Sequence, residues 1–290
     1  MSTKSSRTLL VTLLGAFVRR TDDWLPISSI VTLFDALEVE ESSVRTGVSR
    51  LKKRRWLVAE RRQGRQGYRL TELAKQSFKT GDKVIWHARQ PADLADGWCV
   101  ASFSVPEKER ANRHLLRSRL ATLGFGNVGG GVWIAPARMR DEAAQVIGNL
   151  GLAEYTNLFV GEHAGGQRLV EMVSSSWDLD DIHNRYKSFV AEHTPDIVAL
   201  DNAAAHPISD REAFVRYMRT LDDWRMLPMQ DPGLPRELLP ENWAGDEAAH
   251  LLERVVAELD ESALAFVKAT ANEVLGGREA RVRDRVASVA

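Results

Sequence analysis

The chain has 290 residues, 44% hydrophobic and 27% charged, an ordinary balance for globular material with room for two or three domains, each burying its own core. The net charge of −1 hides an asymmetry: residues 42–89 hold 14 Lys and Arg against three acidic residues, residues 1–41 carry −2, and the last 201 residues carry −10. No apolar run approaches the ~20 residues that span a bilayer, and the single cysteine, Cys99, excludes an internal disulfide framework, so a cytoplasmic protein without membrane contact is expected.

Residues 6–19 read as a first helix, because Leu9, Leu10, Leu13, Leu14 and Phe17 recur at spacings of three and four. The apolar stretch is short and lacks a small-residue cleavage site, which argues against a signal peptide. "TDDWLP" breaks this helix. A second is expected over about 28–37, with Ser28 or Ser29 as its cap, and a third over about 42–54 after the turn "EVEE". "WLVAERR" and "GYRLT" read as strands separated by "QGRQ", a hairpin with glycine on each side of its tip. Three helices and a hairpin in that order make a winged helix-turn-helix. A further helix over about 72–83 leads to "HARQPADLADG", residues 87–97, the best linker candidate.

Beyond it, "WCVASFSV" (98–105) reads as a buried strand and 107–124 as a helix. "FGNV" and "GGVWIAP" follow as two short strands, 138–152 as a helix, and "TNLFVGEH" and "QRLVEMV" as strand-like segments. The β-α-β-β-α-β order is the ferredoxin-like pattern. From Trp177 onward the chain looks helical, at about 179–193, 209–226, 246–260 and 262–275, interrupted by the proline-rich "LPMQDPGLPRELLPENWAG". The expected class is α+β: a winged helix over 1–88, a ferredoxin-like domain over 97–175, and a helical effector and dimerisation domain over 176–290.

The positive charge concentrates on the third helix and its hairpin. At 100° per residue, Val44, Gly47, Val48 and Leu51 fall in one arc that packs inward. Arg45, Thr46, Ser49, Arg50 and Lys53 occupy the opposite side. In a helix-turn-helix that outward face enters the DNA major groove. Arg45 and Arg50 carry planar donor forks suited to guanine O6 and N7, and Thr46 and Ser49 can bond base edges or phosphates. Lys52, Lys53, Arg54 and Arg55 end the helix and suit the phosphate backbone. Arg61, Arg62, Arg65 and Gln66 surround the hairpin tip, where a wing reaches backbone or minor groove. Tyr68 and Trp56 are expected to pack the wing against the helix.

Four stretches, "LLVTLLGAFVR", "VEESSVRTGVSRLKKRRWL" with "YRLT", "SSSWDLDDIHNRYKSF" and "DPGLPRELLPENWAG", lie in order along nearly the whole chain. In these the sequence resembles the PaaX family of bacterial repressors of phenylacetic acid and related aromatic catabolism. The resemblance implies the three-domain order above, and a homodimer released from a palindromic double-stranded operator by an aryl-coenzyme A thioester. Gly47 and Lys52-Lys53-Arg54-Arg55 depart from the family's pattern toward a more basic helix, so the operator sequence need not be the family's best-known one.

Other patterns weigh less. "GFGNVG" (124–129) fits G-x-G-x-x-G, but it follows a helix and leads into a strand, the reverse of a dinucleotide site, so it reads as a turn and no cofactor is expected. The central pattern looks like the small CRISPR-associated nuclease fold, but "WCVASFSVP" has no carboxylate to hold a divalent ion. Seven scattered histidines show no ligand spacing, so no metal site is expected, and no serine sits in a G-x-S-x-G elbow, so no catalytic residue is assigned. For an aryl-coenzyme A or aromatic effector, Trp177, His183, Tyr186, Arg216, Tyr217, Trp224 and Arg225 supply aromatic walls and cationic groups, against the plainer reading that the aromatics pack helices. A coenzyme A thioester-processing enzyme tethered to DNA is the alternative from another class, and a purely architectural DNA binder is a third.

Overall fold

The computed structural model describes residues 6–82, 85–86, 91–228 and 230–287, with side chains described from Thr8 to Glu273 within those ranges. The molecule is α+β, with two antiparallel sheets and a helical C-terminal region. It divides into two compact units, one gathering residues 1–81, 192–223 and 250–290, the other 82–191 and 224–249.

In the first unit, α1 (Ser6–Ala16) buries Leu9, Leu10, Leu13 and Leu14 as their spacing predicts, and a 3-10 turn at Val18–Arg20 ends it. "TDDWLP" is more than a break. Asp22 and Asp23 turn through positive φ (52° and 57°), and Trp24–Pro26 forms strand β1. Three residues carry no readable alternation, so only tertiary pairing reveals this strand. Then follow α2 (Ile27–Ala36), α3 (Glu41–Lys53), β2 (Leu57–Arg62), β3 (Arg65–Leu70) and α4 (Glu72–Asp82). The sheet order is β1-β3-β2.

The hairpin is tighter than the sequence suggested. Its loop is Gln63-Gly64 alone, both at positive φ (47° and 73°), the type I′ geometry that matches strand twist. Arg65 and Gln66 are already strand, opposite Arg62 and Arg61. Gly67 lies inside β3, where an added Cβ would strike the Leu25 carbonyl and the Trp24 ring.

The second unit contains β4 (Trp98–Phe103), α5 (Arg110–Thr122), β5 (Gly126–Gly129), β6 (Val132–Pro136), α6 (Arg140–Asn149), β7 (Thr156–Gly161) and α7 (Leu169–Ser176). The strands order β5-β6-β4-β7, all neighbours antiparallel. Alternation along β4 sends Cys99, Ala101 and Phe103 to a core with Leu116, Leu120, Ala143 and Ile147. Trp98 on the opposite face meets Ile134, Val173, Trp177, Leu234 and Leu238. The strand-like reading of "QRLVEMV" was wrong: Leu169, Met172 and Val173 sit at helical spacing in α7 and join that second core. A short apolar run satisfies either period, and the sheet face available to cover decides. Of the expected linker, residues 87–90 lie outside the described residues; in the rest, the Ala92 N–H donates to the Gly233 carbonyl (3.1 Å) and Leu94–Asp96 forms a 3-10 turn.

Three long helices complete the chain: α8 (Leu179–Asp201), α9 (Asp210–Trp224) and α10 (Ala244–Ala287). α8 continues through Pro195, eight residues beyond its expected end, although proline offers no N–H to the Ala191 carbonyl. The two expected helices at 246–260 and 262–275 are one. Leu251, Leu252, Val255, Leu259, Ala263 and Val267 form a continuous buried stripe across the polar "DES" that looked like a break. Within the first unit α9 and α10 share a core with the end of α1: Phe17, just after that helix, packs on Phe214 (5.8 Å between centroids) and Tyr217 (5.1 Å), and Phe214 on Phe266 (5.4 Å). Among the described residues no helix is long and apolar enough to cross a membrane.

Candidate nucleic-acid interface

Val44, Gly47, Val48 and Leu51 are the buried residues of α3, the four that the helical wheel selects. A Cβ at Gly47 would meet the Leu10 methyl of α1, which would have to shift, so the close neighbour there is a side chain rather than backbone. Arg45, Thr46, Ser49, Arg50, Lys53 and Arg54 are all exposed. Arg45 pairs with Glu41 one turn back (2.6 Å), and the Thr46 hydroxyl donates to the Ser42 carbonyl (2.9 Å). The side chains of Arg50, Lys53, Arg54 and Arg61 make no hydrogen bond or ion pair among the described residues.

The helix ends in a Schellman cap. The Arg55 N–H donates to the Lys52 carbonyl (2.9 Å) and the Trp56 N–H to the Leu51 carbonyl (3.0 Å). The residue at the left-handed position, φ 59°, is Arg55 where glycine is the usual choice. The cap therefore holds a cation in a backbone conformation that an L-residue adopts only at a cost.

In the hairpin, Glu60 accepts from both Arg62 and Arg69 (2.6 Å each), and these guanidinium groups hold its carboxyl below the usual range. Arg62 also lies over the Trp24 ring (5.2 Å), so it is committed to the sheet. Arg65 is half-buried, and its Nε has no partner among the described residues. Gln66 is exposed and donates to the Gly67 carbonyl (3.2 Å). Lys52 sits over the Tyr68 ring (5.7 Å), tying α3 to β3, whereas Trp56 packs edge-on against Phe78 of α4 (5.3 Å).

The seven effector candidates fall into different surroundings. His183, Tyr186 and Trp224 gather in the second unit around Trp243, a residue the sequence reading missed because it lies in an irregular proline-rich stretch. A cavity of about 40 Å³ there is lined by Tyr186, Trp224, Trp243, Asp231 and Arg236. Asp231 accepts from the Tyr186 hydroxyl and the Gly233 N–H (2.8 Å each), and burial pushes its carboxyl pKa up. Trp177 donates to the Gly124 carbonyl (3.0 Å) and covers the sheet; of the glycines of "GFGNVG", Gly126 has no room for a Cβ against it, while Gly124 and Gly129 take positive φ (85° and 130°). Arg225 is half-buried in the same unit. In the first unit, Tyr217 packs on Phe17, and Arg216 is bound to Asp196 (2.6 Å) and Glu212 (2.7 Å).

Three segments of the chain match family models: residues 5–74 "PaaX-like protein", residues 91–173 "PaaX protein central Cas2-like domain", and residues 177–269 "PaaX-like protein C-terminal domain". The chain belongs to the PaaX family. Among PaaX proteins, it is 25% identical over 266 residues to the transcriptional repressor PaaX of Escherichia coli K12, covering 91% of this chain and 83% of that one. Its fold is similar to that of the uncharacterized protein Rv0674 from Mycobacterium tuberculosis, with a TM-score of 0.59 and 18% identity over 92% of this chain and 98% of the other. The PaaX C-terminal segment also contains a polar cluster that sequence reasoning did not find. His193, 3% exposed, stands between Asp196 and Asp223, and the only signal was a histidine three residues before an aspartate on one helix.

Proposed function

We propose that this chain is a sequence-specific DNA-binding transcriptional repressor of a phenylacetic acid or related aromatic catabolic operon. It acts as a homodimer on a palindromic duplex site, and an aryl-coenzyme A or related aromatic effector relieves it. The observation that carries this reading is the division of α3 into a fully buried apolar face and an exposed face of Arg45, Thr46, Ser49, Arg50 and Lys53. Its likeness to the Escherichia coli repressor supports the same reading.

Residues 1–88 act as a winged helix: α2 and α3 make the helix-turn-helix, and the β2–β3 hairpin is the wing. The order of helices, strands and sheet neighbours supports that assignment. Residues 97–175 form the ferredoxin-like domain, supported by the β5-β6-β4-β7 order with α5 and α6 in the crossovers. Residues 176–290 carry effector binding and dimerisation. Arg45 and Arg50 read bases, Thr46 and Ser49 assist, and Lys53, Arg54, Arg61, Arg65 and Gln66 fix the register on phosphates. Two α3 helices related by two-fold symmetry meet half-sites about 34–36 Å apart.

The effector's aromatic group enters between His183, Tyr186, Trp224 and Trp243. The cavity there, about 40 Å³, is far below the roughly 300–1,000 Å³ of small-molecule sites, so entry parts these rings and is the conformational event that reaches DNA. Footprinting on the region upstream of the protein's own gene, with and without phenylacetyl-coenzyme A, tests the whole reading. A protected palindrome that the thioester erases is expected; no protection at modest ionic strength would refute it.

A further inference from the structure

The first unit holds a cluster that neither DNA contact nor effector binding uses. Glu192 and His193 on α8 and Asp223 on α9 each offer one donor atom, and these atoms lie within 4.8 Å of one another. His193 Nε2 is 2.8 Å from Asp223 Oδ2. Its other nitrogen, Nδ1, faces Asp196 Oδ2 at 3.0 Å and Thr220 Oγ1 at 3.1 Å. The Thr220 hydroxyl gives its own proton to the Arg216 carbonyl (2.9 Å), so it accepts on the histidine side. Asp196 in turn is held by Arg216, which also pairs with Glu212.

We infer that Glu192, His193 and Asp223 form a binding site for a divalent first-row transition cation, Zn2+ above all, which clasps α8 to α9. On binding, the cation replaces the proton that Nε2 shares with Asp223 Oδ2, while Asp196 and Thr220 keep the other imidazole proton on Nδ1. A carboxylate behind the ligating histidine is the usual outer shell of a zinc site, and here that carboxylate is itself fixed by an arginine. Metal bonds of about 2.0–2.2 Å at a tetrahedral angle set donor atoms roughly 3.3 Å apart, so the 2.8 Å between His193 and Asp223 must open slightly and the Glu192 carboxylate, within 4.8 Å, must draw in. One imidazole and two carboxylates suit a borderline cation better than a soft one.

The charges point the same way. Asp196 and Asp223 each face a ring nitrogen of His193 and Glu192 lies beside it, so the negative charge gathered there favours a cation. A proton shared between His193 Nε2 and Asp223 Oδ2 is the competing occupant. The neighbouring Asp222 accepts from Thr12 of α1 (2.6 Å), so what clasps α9 also bears on the first helix of the DNA-binding segment.

The test is titration of the chelator-stripped full chain with Co2+ and then Zn2+. One equivalent of Co2+ should bind with visible absorption bands, Zn2+ should displace it, and either cation should raise Tm. Glu192→Gln, at an exposed position that the fold tolerates, should weaken binding about tenfold or more, and so should Asp223→Asn; Asp196→Asn should weaken it about 10–100-fold by releasing the imidazole. Absence of saturable uptake, or uptake unchanged in both Glu192→Gln and Asp223→Asn, would overturn the site and leave His193 as a proton-held link between two aspartates.

Discussion

Arg45 is the residue whose double engagement most needs weighing. Its ion pair with Glu41 is exposed on both sides, and an exposed i,i+4 pair on a helix is worth only about 0.3–0.5 kcal/mol. A bidentate contact to guanine is worth about 1–3 kcal/mol, so in the proposed complex the guanidinium would exchange Glu41 for the base. Arg45→Ala and Arg50→Ala are each expected to cost about 1–3 kcal/mol on the operator and to relax specificity at one position, read by competition binding against single-base variants. Equal losses on every sequence would identify a backbone contact instead. Arg55 makes the opposite case. Left-handed backbone costs an L-residue about 1–2 kcal/mol, so Arg55→Gly should raise unfolding stability by about 1 kcal/mol in urea melts, while DNA affinity falls if the side chain reaches phosphate.

At the scale of elements, the proposed recognition is divided between α3 and the β2–β3 hairpin. The hairpin is pinned by a two-residue I′ loop, by Glu60 between two arginines, and by Arg62 over Trp24, so it presents a stiff tip. Arg65→Ala should weaken binding to all sequences alike and reduce the slope of log affinity against log salt by about 1, measured over a salt series. Gly67 sets the pairing of β1 with β3. Gly67→Val should destabilise by about 1–3 kcal/mol, because the backbone carbonyl and indole that it meets cannot both yield. Thermal melts would show that loss even in the absence of DNA.

At the scale of the whole molecule, the first unit joins α1 to the C-terminal helices through a mixed set of contacts. Aromatic packing around Phe17 is joined by the Thr12–Asp222 hydrogen bond and by Arg20 bound to both oxygens of Asp260. Phe214→Ala should cost about 3–5 kcal/mol and weaken operator binding although it lies on α9, as chemical denaturation and DNA titration would report. In the second unit, Asp231 has its pKa raised by burial, so its favourable contribution is complete below the ordinary carboxyl pKa and is lost as pH rises through the raised value. Asp231→Asn should therefore gain stability relative to the parent chain as pH rises above the ordinary carboxyl range; a difference that does not change with pH would contradict the assigned cause.

The sequence by itself determined much of this protein. The buried and exposed faces of α3, the β-α-β-β-α-β order, the concentration of basic charge and the family likeness were all legible. Each depends on local period or on residues close in the chain. Tertiary structure alone decided that Trp24–Pro26 is a strand, that residues 169–176 are a helix, that α8 passes Pro195, and that α10 does not break at Asp260. It also brought His193 between two aspartates, one 30 residues away, and Trp243 against Tyr186. Such choices rest on contacts between distant segments, whose burial and charge pairing outweigh the weak local preferences of a few residues.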